Sequence, residues 1–215
     1  MFGLNGIDYK IRDVLLSLGV QDKFFIEAGA NDGLSQSNTA LLEFQYGWTG
    51  VLVEPSLENF ERARSVRKNS RVYRGALVSN SYERETIPGI FSSDSLSRWG
   101  GLCSGVTEEH LKFDPEWICE VPALTLDRVL EDCKAPESIG LMSLDVEGYE
   151  LEVLRGLNTE KWRPKVVVME IGRFDIPEVY KAHLDYMSSI GYPLHSEVSE
   201  HDFVFYDSRV FGVLK

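Results

Sequence analysis

The chain has 215 residues, 43% hydrophobic and 26% charged, with a formal net charge of −12, the composition of a globular chain long enough to bury a full core. It holds no apolar run near the roughly 20 residues a bilayer span requires, and its acidity excludes nucleic acid as an expected partner, because gripping phosphates takes a basic stripe. Met1 to Lys10 shows no basic segment followed by an apolar stretch, so no secretory leader is expected, and an intracellular protein, or a domain cut from a larger one, is.

The elements follow in alternation. Ile11, Val14, Leu15 and Leu18 fall at helical spacing and predict a helix ahead of the first strand. Phe24 to Ala28 is strand one, Asn31 to Ser37 a polar turn, and Leu41, Leu42 and Phe44 mark the next helix. Val51 to Glu54 is strand two, Leu57, Phe60, Ala63 and Val66 a helix, and Val72 to Val78 strand three. The basic cluster Arg62, Arg64, Arg67, Lys68, Arg71 and Arg74 reads as the solvated face of that helix running into the strand. Asn80 to Glu120 has weak periodicity and reads as an irregular insertion whose aromatics, Trp99 and Trp117, cover a substrate or pack in the core.

Thr125 is an N-cap. Ile139 to Asp145 is strand four, Tyr149 to Leu157 its helix, and Val166 to Glu170 strand five. Tyr180, Leu184, Met187 and Ile190 mark a last long helix. Leu194 to Val198 and Phe203 to Tyr206 pair as a terminal hairpin. Short continuous apolar strands between helices predict a mainly parallel sheet covered on both faces, in a single domain over residues 1–215. Cys103, Cys119 and Cys133 lack C-x-x-C spacing, so they are expected as small buried hydrophobes in a reducing compartment and not as zinc ligands.

Ligands of open parallel sheets bind beyond the carboxyl ends of the strands, and three segments put chemistry there. Glu27-Ala28-Gly29-Ala30-Asn31-Asp32-Gly33 follows strand one. Its G-x-x-x-G spacing departs from the G-x-G-x-x-G that seats a dinucleotide pyrophosphate. Its acids would repel a pyrophosphate and tolerate a zwitterionic amino-acid tail; a plain strand-to-helix turn is the alternative. Glu54-Pro55 ends strand two, about 20 residues on, where a carboxylate can accept both hydroxyls of a ribose or answer a helix dipole. Asp145, Glu147 and Glu170 gather at the ends of strands four and five; such a group can hold a divalent cation, supply a base or bind an amine. Glu150 and Glu152 read as a solvated helix face.

Phe25 to Gly33, Ser37-Asn38-Thr39, Gly47-Trp48, Val53-Glu54-Pro55 and Asp145 to Gly156, in that order, resemble the FkbM family of methyltransferases. The likeness runs from about Phe24 to the Phe203 to Tyr206 strand. It implies a class I methyltransferase fold, a Rossmann-like α/β domain with a seven-stranded, mostly parallel sheet, an antiparallel last strand and helices on both faces. It implies S-adenosylmethionine as cofactor and O-methylation, often of sugar hydroxyls in glycans or glycosylated metabolites; a deoxysugar such as rhamnose is the expected acceptor, and the chain could be one domain of a larger glycan-modifying enzyme. By position, Glu27, Gly29, Ala30, Asn31, Asp32, Gly33 and Asn38 would surround the methionine part. Glu54, with Pro55 and Ser56, would hold the ribose, Ala76 and Leu77 would lie by the adenine, and Asp94 or Ser95 would cap its amino edge.

For catalysis, Asp145 and Glu170 are candidate ligands of Mg²⁺ or Mn²⁺, or orienters of the acceptor, and Glu147 the candidate base. His110, in the covering segment, is its rival, while His195 and His201 flank the terminal hairpin. A nicotinamide-dependent oxidoreductase and a non-catalytic nucleoside-binding module are the competing readings.

Overall fold

The computed structural model describes residues 1–90, 101–102, 118–172 and 175–212. The main sheet contains β1 (Phe24–Ala28), β2 (Thr49–Glu54), β3 (Ser70–Arg74), β8 (Ser138–Leu144), β9 (Arg163–Glu170), β10 (Leu194–Glu197) and β11 (Asp202–Tyr206). Their order is β10-β11-β9-β8-β1-β2-β3. The five strands from β9 to β3 are mutually parallel, and β11 runs antiparallel to both β9 and β10. This is the seven-stranded class I arrangement, with the last strand reversed.

Alternate residues of each strand face opposite sides, and each side is covered. Ile26 and Ala28 of β1, Met142 and Leu144 of β8 and Val167 and Met169 of β9 form one core. It is shared with α4 (Leu126–Cys133), α5 (Glu150–Arg155) and α6 (Pro177–Ser189). Phe25, Leu52, Leu141 and Val168 face a second core built with α1 (Ile7–Ser17) and α2 (Ala40–Tyr46). Burial on both sides is why these strands read as continuous apolar runs. Thr125 caps α4 by accepting from Arg128 N. No helix among the described residues is long and apolar enough to cross a membrane.

Strand three departs from expectation. It breaks into β3 and β4 (Ala76–Leu77), because β2 ends at Glu54 and Pro55 has no N–H to extend the ladder. Gly75 N makes the last bond, to Glu54 O at 3.2 Å. A Cβ on Gly75 would come within 2.7 Å of Pro122 O, so only glycine lets the chain swing onto β7 (Ile118–Leu124). The 80–120 stretch is also not irregular throughout. β5 (Thr86–Ile90) and β6 (Gly101–Leu102) pair within it, and with β4 and β7 they make a second sheet in the order β4-β7-β5-β6.

Three further expectations are corrected by burial. Arg67, expected on a solvated face, is 1% exposed, just beyond α3 (Leu57–Val66). Glu150 is also 1% exposed, whereas Glu152 is partly exposed and pairs with Arg155. Cys119 is exposed rather than buried, and Cys133 is intermediate; Cys103 lies outside the described residues. A short helix, α7 (Ser208–Phe211), closes the described chain.

Candidate active site

The tips of β1, β2 and β8 converge on the turn after β1. Gly29 has φ 78°, and a Cβ there would lie 1.7 Å from the carbonyl oxygen of Asp145. Glycine is therefore required for β8 to come this close. Gly29 N and Ala30 N both donate to Val53 O, at 3.1 and 3.2 Å, which fixes the turn to β2 as well. Asp32 accepts from Leu34 N (2.9 Å), Ser35 N (2.6 Å) and the Ser35 hydroxyl. Burial raises its pKa, but these donors more than offset it and the net shift is downward. Asp32 is thus the staple of this turn.

Glu27 is 3% exposed. Its carboxylate accepts from the Ser37 hydroxyl (2.8 Å), Asn38 N (2.9 Å), the Thr39 hydroxyl (2.6 Å) and Arg67 Nη1 (3.1 Å). Arg67 also donates through Nε to Glu43 (2.8 Å) and through Nη1 to Gly33 O (3.0 Å). Two carboxylates and one guanidinium are sealed together, so the Glu27 side chain orders the segment from Gly33 to Thr39 from within. The sequence signal for Arg67 is its i+4 relation to Ala63 on the inner face of the helix.

Glu54 is 6% exposed. One oxygen accepts from Asn31 N at 2.8 Å and the other from Ser56 N at 2.9 Å, leaving lone pairs on both. Burial pushes its pKa up to about 7 against these two donors. Ser56 uses its hydroxyl to cap α3 at Asn59 N, and Pro55 joins the two. Ala76 and Leu77 are buried at the start of the second sheet. Asn38 donates through Nδ2 to the Ser143 hydroxyl at 3.0 Å.

Beyond these residues lies a pocket of about 120 Å³, lined by Leu4, Ile7, Gln36, Asn38, Asp145, Glu147, Glu170 and Asp202. Asp145, Glu147 and Glu170 each present a carboxylate oxygen, and these atoms lie within 4.8 Å of one another. Burial raises Asp145 well above the carboxylate range, and the charge and hydrogen bond of Glu170 raise it further. Glu147 is more exposed than its two neighbours; partial desolvation, then the charge of Glu170, brings it to about 7. The all-oxygen donor set of the three is of the kind that suits a hard divalent cation.

Asp202 is a fourth acid that the sequence reading missed. It is 8% exposed, and its pKa is raised by burial in spite of a hydrogen bond from Ser199. It stands opposite Glu170 in the register, because the first residue of an antiparallel strand lies beside the last residues of its neighbours. The implied reversal of the last strand was the available signal. His195 is exposed and its Nδ1 contacts Ser196, and His201 is exposed in the hairpin turn. Asp94, Ser95, Trp99, His110 and Trp117 lie outside the described residues.

The methyltransferase FkbM domain model matches residues 27–194. No curated protein matches significantly in sequence. Among solved structures, a human methyltransferase 10 domain containing protein is 10% identical with a TM-score of 0.49, covering 95% of this chain and 83% of that one. An S-adenosylmethionine-dependent methyltransferase from Aquifex aeolicus is 11% identical with a TM-score of 0.44, covering 95% and 93%. Precorrin-6y C5,15-methyltransferase from Geobacter metallireducens is 12% identical with a TM-score of 0.44, covering 92% and 87%.

Proposed function

We propose that this chain, which belongs to the FkbM methyltransferase family, moves the methyl group of S-adenosylmethionine to a sugar hydroxyl and leaves S-adenosylhomocysteine. Use of S-adenosylmethionine comes with the family; the oxygen acceptor rests on the carboxylates of Asp145, Glu147 and Glu170 gathered in one pocket. The sulfonium, when bound, supplies a methyl group that is already activated. The protein must add alignment, worth roughly 7–11 kcal/mol, and a destination for the hydroxyl proton, worth about 10²–10⁴-fold.

Glu147 is assigned that proton. With cofactor and acceptor bound, the Glu147 carboxylate would take the hydroxyl proton as the methyl group passes from sulfur to oxygen. Asp145 and Glu170 orient the hydroxyl, or hold Mg²⁺ or Mn²⁺, whose charge would lower the hydroxyl pKa. The lone pairs that Glu54 has left beside its bonds from Asn31 N and Ser56 N would accept from the ribose hydroxyls. The Gly29 to Gly33 turn and Asn38 border the methionine end, and Ala76 and Leu77 the adenine, with Asp94 or Ser95 assigned its amino edge by resemblance. Glu27 and Ser56, whose polar atoms are engaged inside the protein, support this cradle from behind.

Leu4 and Ile7 line the acidic pocket and suit the apolar face of a deoxysugar such as rhamnose. The 80–120 stretch is the proposed cover, and a place within a larger glycan-modifying enzyme is compatible with such a substrate. The test is transfer of labelled methyl from S-adenosylmethionine to methyl rhamnoside, fucoside and glucoside, with an amine and an RNA oligonucleotide as contrasts, with and without chelator. Labelling of a sugar that E147Q lowers about 100-fold or more supports the reading. Labelling of the amine or RNA alone, cofactor binding with no transfer, or activity that survives both chelation and removal of each carboxylate would overturn it.

A further inference from the structure

Glu150 opens α5, three residues after Glu147, and is 1% exposed. Its Oε1 accepts from Val146 N at 3.2 Å and from Gly148 N at 3.1 Å. Between those two donors the chain makes an unusual turn: Glu147 has φ 57° and Gly148 φ 94°. A glutamate in the left-handed region persists only where its surroundings over-determine it, and the paired acceptance by Oε1 is what closes this turn. The turn in turn fixes where the Glu147 side chain leaves the backbone, and that side chain lines the pocket with Asp145 and Glu170.

The other oxygen, Oε2, is buried and has no hydrogen-bond partner among the described residues. Nε2 of His183 on α6 lies 3.9 Å from it. His183 Nδ1 stands 2.8 Å from Val179 O; since a carbonyl only accepts, Nδ1 carries the proton and Nε2 of the neutral ring is bare. Glu150 therefore sits between the turn and α6, and is not among the residues that line the pocket.

We propose that Glu150 is a positioning residue for methyl transfer, acting by holding the 146–148 turn in the form that delivers the Glu147 carboxylate to the acidic cluster. The inference rests on the reading of Glu147 as proton acceptor. Two variants isolate it. E150Q keeps a carbonyl for the two backbone donors and gives His183 Nε2 an N–H to accept. E150M fills the same space with no acceptor.

With the methyl glycoside labelled in the transfer assay as acceptor, E150M is expected to lower kcat about 10- to 100-fold, as a misplaced group does. The Kd for S-adenosylhomocysteine by calorimetry should stay within about twofold, a split that general loss of structure does not produce. E150Q should restore kcat to within about twofold of wild type, and E150M should add little to the loss already caused by E147Q, because both act through one side chain.

If E147Q lowers kcat while E150M leaves it unchanged, or if the two losses multiply, the positioning role is refuted and the base stands. If E147Q is fully active, the base reading itself falls, and this inference with it. Should E150M not fold, E150D, which draws the carboxylate back by one methylene, is read in its place by the same outcomes.

Discussion

Replacing Glu54 by glutamine tests both the electrostatics of the strand tips and the assignment of the ribose. Burial raises this carboxyl from its ordinary 4.5 to about 7, a difference equivalent to roughly 3 kcal/mol. A raised acid keeps its proton longer in the folded than in the unfolded protein. Its contribution is therefore fully present below pH 4.5 and is lost as the pH climbs through 7. The amide of E54Q carries no such term. It keeps one oxygen acceptor and turns an NH₂ toward either Asn31 N or Ser56 N, at a cost of about 1–3 kcal/mol at every pH.

Urea unfolding without ligand, at pH 5 and pH 8.5, should thus find E54Q less stable than wild type at pH 5. The difference should move in favour of glutamine by about 2.5 kcal/mol at pH 8.5, part of the effect being already spent at pH 5. Other raised acids titrate in both proteins and cancel. Binding should move the other way: with a carboxylate lost opposite two ribose hydroxyls, the Kd for S-adenosylhomocysteine at pH 8.5 should rise at least about 10-fold, at 1.5–3 kcal/mol per charge-assisted bond. A stability difference that ignores pH would refute the burial argument, and an unchanged Kd would refute the ribose assignment.

Arg67→Met leaves Glu27 and Glu43 as buried charges without their cation, so a loss of about 3–5 kcal/mol is expected in urea unfolding at pH 7; a loss under 1 kcal/mol would show the triad to be dispensable. Gly29→Ala drives a methyl group into the Asp145 carbonyl, and should lower the thermal midpoint and abolish detectable S-adenosylhomocysteine binding in calorimetry. Mn²⁺ at pH 7.5 should raise the thermal midpoint of the wild type and not of D145N or E170Q; an equal rise in all three would place the ion elsewhere.

The layout of the sheet was legible because its strands are buried on both faces and therefore stand out as apolar runs ended by turn residues. Phe24 to Ala28 matches β1 residue for residue, Glu54 closes β2, and Thr125 caps its helix. The split of the third strand was not legible, since it depends on where β2 runs out of donors and on a partner strand over forty residues later. Charged residues were misread where their partners are distant in sequence. Arg67 looks solvated until Glu27 from β1 and Glu43 from α2 are brought to it, and Glu150 looks like a surface residue until the backbone curls over it. Asp202 was hidden for a different reason: a strand start becomes a pocket wall only when its direction is reversed.

The join between β4 and β7 has a consequence for how such a chain can vary. Ala76 and Leu77 lie hydrogen-bonded in register with Ala123 and Leu124, so the excursion of the chain between them leaves and re-enters at neighbouring points. Once the ends are clamped together, doubling the length of what lies between costs only about 0.6 kcal/mol of closure entropy. The excursion is in this sense a cassette. A change in its length need not move the strand tips that carry Glu54 and Asp145, whereas a change at Ile87 or Val121 would reach Tyr149, which packs against their cluster.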